Sequence, residues 1–120
     1  MKKLPAKANY DFESDIFSAL PLIREYDSSF QKEDIILDLD KNGKIVGLEL
    51  LNASKNFGIP KIFMKNLISI HMQINVSEEL IKIQIQIKSL VRNAERISSL
   101  NFERIKPGFV NPSELNLAVI

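Results

Sequence analysis

The chain has 120 residues, of which 16 are Lys or Arg and 15 are Asp or Glu, and it contains no cysteine. The length is that of one domain, and an apolar content of 45% suffices for a core without crosslinks or metals. Lack of cysteine excludes disulfides, zinc–thiolate sites and thiol nucleophiles. A net charge of +1 with interspersed signs argues against a dedicated nucleic-acid or membrane-surface protein.

No apolar run approaches the roughly 20 residues that cross a bilayer. The start, "MKKLPAKANY", is basic but lacks the apolar stretch of a signal peptide, so a cytoplasmic protein is expected. Abundant Ile, Lys and Asn fit an AT-rich prokaryotic genome.

In chain order, "ANYDFESDIFSALP" reads as two short strands around a turn at Glu13-Ser14. Asp11 and Asp15 are placed to bond local backbone amides there. Residues 21–34 show no clear period and are assigned to a loop.

Residues Asp38 to Glu49, "DLDKNGKIVGLE", match the calcium-loop pattern D-x-[DN]-x-[DN]-G-x5-E. Such a loop takes oxygen ligands at positions one, three, five and twelve and a Gly at six. These are Asp38, Asp40, Asn42, Glu49 and Gly43, and Ile45 supplies the apolar eighth position. A calcium loop also needs a helix on each side, and "IVGLEL" starts a helix poorly. The competing reading is a hairpin turning at Asn42-Gly43, a strong hairpin signal because both residues tolerate positive φ. A two-residue turn pairs Leu39 with Val46, Leu37 with Leu48 and Ile35 with Leu50, all on one face. A three-residue loop would set Leu39 against Ile45 and Leu37 against Gly47, which spoils the match. The hairpin is the preferred reading, with Asp38, Asp40 and Glu49 on its more exposed face. The metal reading keeps Asp38, Asp40, Asn42 and Glu49 as its candidates.

The residues Tyr10, Asp11, Glu13 and Asp15 form an early Y-D-x-E-x-D. Asp38, Asp40, Gly43, Gly47, Leu48, Glu49, Leu50, Leu51, Asn52, Ala53 and Ser54 then follow a second pattern, D-x-D-x-x-G-x-x-x-G-[IL]-E-[IL]-L-[ND]-A-S. Together they resemble an uncharacterised prokaryotic family, the domain-of-unknown-function family twenty-two eighty-three. The resemblance covers the first half of the chain, and the second half resembles an archaeal-type extension. It implies a small β-rich fold without established activity, carries over no catalytic residue and favours the hairpin over calcium.

After Leu51 the chemistry changes. Asn52 can cap a short helical turn ended by Gly58, and Pro60 can open a second carrying Ile62, Phe63 and Leu67. Then "ISIHMQINVSEELIKIQIQIK" alternates with period two, the mark of strands with one buried face. With Ser77 to Leu80 as the loop, Val76 faces Ile81, Ile74 faces Ile83, Met72 faces Ile85 and Ile70 faces Ile87. The polar side agrees: Asn75 meets Lys82, Gln73 meets Gln84 and His71 meets Gln86. A one-residue slip would invert a strand. A tight turn at Asn93-Ala94 adds a third strand, with Leu100 opposite Ile87 and Phe102 opposite Ile85. The expected meander spans 68–76, 81–91 and 96–104. The tail, "NPSELNLAVI", ends in alternating Leu115, Leu117 and Val119.

His71 is the sole histidine and reads as a solvated residue on a polar strand face. With no cysteine it cannot build a His-cluster metal site. The chain lacks a G-x-S-x-G elbow, a P-loop and G-x-G-x-x-G, so no catalytic residue is assigned. The acids Asp11, Glu13, Asp15, Asp38, Asp40 and Glu49 could converge if the two hairpins are neighbours; turn acids bonded to backbone and facing water are the simpler reading. The strip Lys82, Gln84, Gln86 and Lys88 lacks the exposed aromatics that stack on RNA bases.

The expected fold is therefore mainly β, antiparallel, with one or two short helices in a single domain over residues 1–120; the alternative is α+β. The expected function is a non-enzymatic interaction or self-association module without cofactor, membrane or nucleic-acid partner. The alternative is a divalent-metal-binding protein or metal-dependent enzyme using the turn carboxylates. A homodimer, or an unidentified protein partner, is expected on two grounds. The long strand "IKIQIQIK" has no Pro or Gly to defend an edge, and the apolar tail needs burial against its own sheet or a partner's.

Overall fold

The computed structural model of the chain describes residues 3–119. Strand accounts for 61% of it and helix for 8%, which makes the class mainly β rather than α+β. Strands β1 (Leu4–Asp11) and β2 (Ile16–Pro21) form the first hairpin, with Asp11 opposite Ile16 as the turn at Glu13-Ser14 requires. Then come β3 (Ser28–Lys32), β4 (Ile35–Leu39) and β5 (Ile45–Leu50). Two short helices follow, α1 (Ala53–Phe57) and α2 (Lys61–Met64). The chain closes with β6 (Leu67–Val76), β7 (Leu80–Val91), β8 (Ala94–Ile105) and β9 (Ser113–Val119). No described helix is long and apolar enough to cross a membrane.

The strands make one curled sheet in the order β3-β4-β5-β2-β1-β9-β6-β7-β8. Five antiparallel strands on one side meet four on the other at β1 and β9, which run parallel through Leu4 opposite Leu117 and Pro5 opposite Ala118. One side chain in two from each strand points inward, and these form one continuous core with Phe57 and Met64 from the helices. Phe17 and Phe57 meet edge to face at 6.2 Å in that core.

The β6–β7 hairpin has every pair read from the alternation, from Val76 opposite Ile81 to Ile70 opposite Ile87. The third strand differs by two residues. Its turn is Arg92-Asn93, both at positive φ (50° and 65°), so Leu100 faces Ile85, Phe102 faces Ile83 and Arg104 faces Ile81. A two-residue shift preserves the faces, which is why the alternation alone could not distinguish the two registers.

Two placements correct the sequence reading, and a third decides between its alternatives. Residues 21–34 are not all loop, since β3 pairs with β4 from Ser28 opposite Leu39 to Lys32 opposite Ile35; its single inward apolar residue, Phe30, leaves almost no periodic signal. "IKIQIQIK" is no edge, because β7 is flanked by β6 and β8. The tail serves its own sheet: β9 lies between β1 and β6, with Leu115 opposite Ile74 and Leu117 opposite Met72.

The Asn42-Gly43 hairpin exists, by a different route. Leu39 does face Ile45, as a three-residue loop demands, but the ladder then shifts so that Asp38 faces Gly47 and Leu37 faces Leu48. Val46 is the extra, bulged residue that restores the apolar match. Gly43 alone takes positive φ (74°), and its amide donates to Asp40 O at 3.1 Å; this is a three-residue loop ending in a left-handed glycine, not a type I′ turn.

Candidate functional site

The acids singled out by the sequence each have a defined partner. Asp15 adopts φ 57°. Its carboxylate accepts from Tyr10 Oη at 2.5 Å, from Ser54 N at 3.1 Å and from Ser54 Oγ at 2.8 Å, while its carbonyl accepts from Ala53 N at 2.9 Å. Asp15 thus caps α1 from across the fold and ties the first hairpin to the "NAS" end of the second motif. Asn52, expected to be the cap, lies at φ 51° with no side-chain cap bond and donates to Asp34 instead, at 3.2 Å.

Burial opposes ionisation of Asp15, yet the bonds from Tyr10 and Ser54 and the nearby Lys61 charge outweigh it and lower its pKa. Burial, then the bond to Asp15, push the Tyr10 phenol well above its usual range. Asp11 does serve its local turn, accepting from Glu13 N at 3.0 Å; bonds from Ser14 and Glu13 hold its carboxyl below the usual value.

Asp38 is buried rather than on an open face. It accepts from Arg24 Nη1 at 2.6 Å and from Ser29 Oγ at 2.7 Å. Arg24 Nη1 also approaches the carbonyl of bulged Val46 at 3.4 Å. Gly47 makes room for this pair: a Cβ there would stand 2.7 Å from Arg24 Nη1 and 3.0 Å from Asp38 Oδ2. The spacing of Asp38 and Gly47 in the motif therefore has a packing cause.

Asp40 accepts from the amides of Asn42 (2.8 Å) and Lys44 (3.0 Å) of its own turn. Asn42 is exposed, and its carbonyl accepts from the Asn111 side chain. Asn111 N donates to Gly43 O at 2.8 Å, so the loop is clamped onto the segment before β9. Glu49 sits on the outer face opposite Ile36 and Ser18. The hairpins are neighbours through β2 and β5, but no group of three His, Cys, Asp or Glu side chains that could hold a metal gathers among the described residues. Calcium-type coordination needs several free oxygens on one point; here Asp38 and Asp40 are each directed at a different donor of the chain itself.

His71 occupies the outer face, with its Nδ1 2.9 Å from Lys3 Nζ. Around it is an open cleft of about 350 Å³ lined by Gln73, Gln84, Gln86, Asn101 and Asn116. Sequence reasoning missed Arg24, Ser29 and Asn111. Their roles depend on distant partners, and each lies in a stretch without periodicity.

Residues 7–54 match the family model described as "Protein of unknown function (DUF2283)". The uncharacterized protein MJ0789 of Methanocaldococcus jannaschii is 34% identical over 95 residues, covering 78% of this chain and 82% of the relative. A Methanosarcina mazei protein named putative hypoxanthine phosphoribosyltransferase is 33% identical over 92 residues, covering 77% of this chain and 75% of that protein. No solved structure matches the chain. The Tyr10–Asp15–Ser54 and Asp38–Gly47 arrangements lie inside the matched segment, and the chain belongs to the DUF2283 family of proteins of unknown function.

Proposed function

We propose that this chain is a non-enzymatic self-association module whose contact is the free edge of β8. The observation that supports it is a 12-residue strand at the end of the sheet, with β7 on one side only. Edges of this length are templates for pairing. Its central six residues, Ile97 to Phe102, carry no charge, and Ile97 and Ile105 are 60% and 82% exposed on its outer face.

Two-fold antiparallel pairing keeps each residue on its face, so only certain registers are open. Centred on Ser99, Glu95 would oppose the partner's Glu103. Centred on Leu100, Arg96 would oppose the partner's Arg104. Like charges directly opposite are unfavourable. Centred on Asn101, Ile97 covers the partner's Ile105, Leu100 meets the partner's Phe102, and no like charges face each other from Ile97 to Ile105.

The phosphoribosyltransferase name of the Methanosarcina relative is not carried over. Phosphate sites often use the free amides of a strand-to-helix turn. Here Ser54 N, at the start of α1, is already taken by the Asp15 carboxylate.

Light scattering tests the proposal. The wild-type chain should show a dimer mass, Asn101→Lys should reduce it to a monomer, and Asn116→Lys on β9 should leave it unchanged. A wild-type monomer at high concentration, or a dimer unaffected by Asn101→Lys, would overturn it.

A further inference from the structure

The sheet curls until its two end strands approach without pairing. Phe30 of β3 meets Phe109 edge to face at 5.1 Å, and Glu33, just after β3, reaches Arg104 of β8. Between them opens a cleft of about 250 Å³. Its apolar walls are Ile35 and Leu37 from β4, Ile81 and Ile83 from β7, and the two phenylalanine rings, and Gln31 and Lys32 of β3 complete the lining on that side.

Two charged residues, Lys32 and Arg104, share this lining, and of the two only Arg104 has a buried polar atom without a hydrogen-bond partner. Arg104 lies on the inward face of β8, opposite Ile81, where alternation calls for an apolar residue. Its Nε is buried and has no hydrogen-bond acceptor. Glu33 Oε1 lies 3.3 Å away, within ion-pair range but without the alignment of a hydrogen bond, and Glu33 Oε2 is 3.4 Å from Nη2. The Glu33 side chain is 65% exposed and that of Arg104 is 28% exposed, so the acid reaches in from solvent to a cation anchored in the wall. A buried donor without an acceptor calls for an explanation. A guanidinium is weakly hydrated and presents a planar fork that matches a carboxylate. Ligand sites commonly combine an apolar body with a few convergent polar groups, and this one, below the roughly 300 Å³ of drug-sized pockets, suits a small guest.

We propose that the cleft between β3 and β8 binds a small amphiphile with an apolar chain and a carboxylate, the chain lying against Ile35, Leu37, Ile81 and Ile83 and the carboxylate replacing Glu33 on Arg104. This site uses the inner face of β8, whereas self-association would use its edge. Ile105 belongs to both, since it lines the cleft and lies within the proposed pairing.

Calorimetric titration of the whole chain with octanoate, below its micelle concentration, tests it. Octanoate should bind saturably and at least tenfold tighter than octanol, which has the chain but no charge. Arg104→Gln should weaken octanoate at least tenfold and leave octanol unchanged, while Glu33→Gln, which removes the competing carboxylate, should tighten octanoate. Amide shifts in a labelled sample should cluster at residues 30–37, 81–83 and 104–109. No octanoate binding by the wild type, or equal affinities for octanoate and octanol, would overturn the assignment without any variant. Shifts confined to other surfaces, or an Arg104→Gln protein that folds and binds octanoate unchanged, would do the same.

Discussion

Replacing Gly43 by Ala acts on the turn in two separable ways. Gly43 sits at φ 74°, where an L side chain costs about 1–2 kcal/mol, partly offset by the lower chain entropy of unfolded Ala. A Cβ there would also stand 2.7 Å from the carbonyl oxygen of Phe109 and 3.0 Å from Asn111 Nδ2. The first contact is with backbone, so the segment before β9 must move. Its bonds to Gly43 O and Asn42 O are then lost or stretched, at about 0.5–1.5 kcal/mol each. The sum is about 2–4 kcal/mol. Gly58 provides the internal control: it lies at φ 70°, but a Cβ there would meet nothing within 4 Å. Gly58→Ala should cost only about 1 kcal/mol, the conformational part alone. Urea denaturation followed by circular dichroism measures both. Equal losses for the two variants would refute the close-approach argument.

Gly47→Ala should cost about 1–3 kcal/mol by forcing Arg24 off buried Asp38, and Arg24→Ala made in that background should add little further loss. Ile83→Ala should cost roughly 2–5 kcal/mol and Gln84→Ala well under 1, measured by the same denaturation; equal values would mean the two faces of β7 are misassigned. The lowered pKa of Asp15 means that its contribution to stability is present above the unfolded-state value of an aspartate and is lost as pH falls through the folded value. Acid titration should therefore show a stability loss below about pH 4 that is smaller in Asp15→Asn. Calcium titration should give no tight binding; a micromolar site abolished by Glu49→Gln would sink the hairpin account of residues 38–49.

Period-two alternation determined the strands and faces of β6 and β7, because those side chains must divide between core and water and a slip of one residue is prohibitive. The same logic determined which of Leu37, Leu48 and Leu50 point inward. It could not count within a face. The two-residue displacement of β8 left every side chain on its side, and only the positive φ of Arg92 and Asn93 selected the register. Nor could pattern show that a three-residue loop and a bulge at Val46 together imitate a two-residue turn, since both routes give the same pairs from Leu37 onward.

The acids were legible as turn residues. Their partners were not, because each bond that defines them reaches far along the chain: Asp15 to Ser54, Asp38 to Arg24 and Gly43 to Asn111. Arg104 interrupts the apolar alternation on the inward face of β8. Its meaning arises only when the curl of the sheet brings β3 beside β8 and turns an interrupted pattern into a charged group in an apolar wall. Local sequence decides which face a side chain takes; the distance between two faces remote in the chain is set by how the whole sheet twists and closes, and no local pattern carries it.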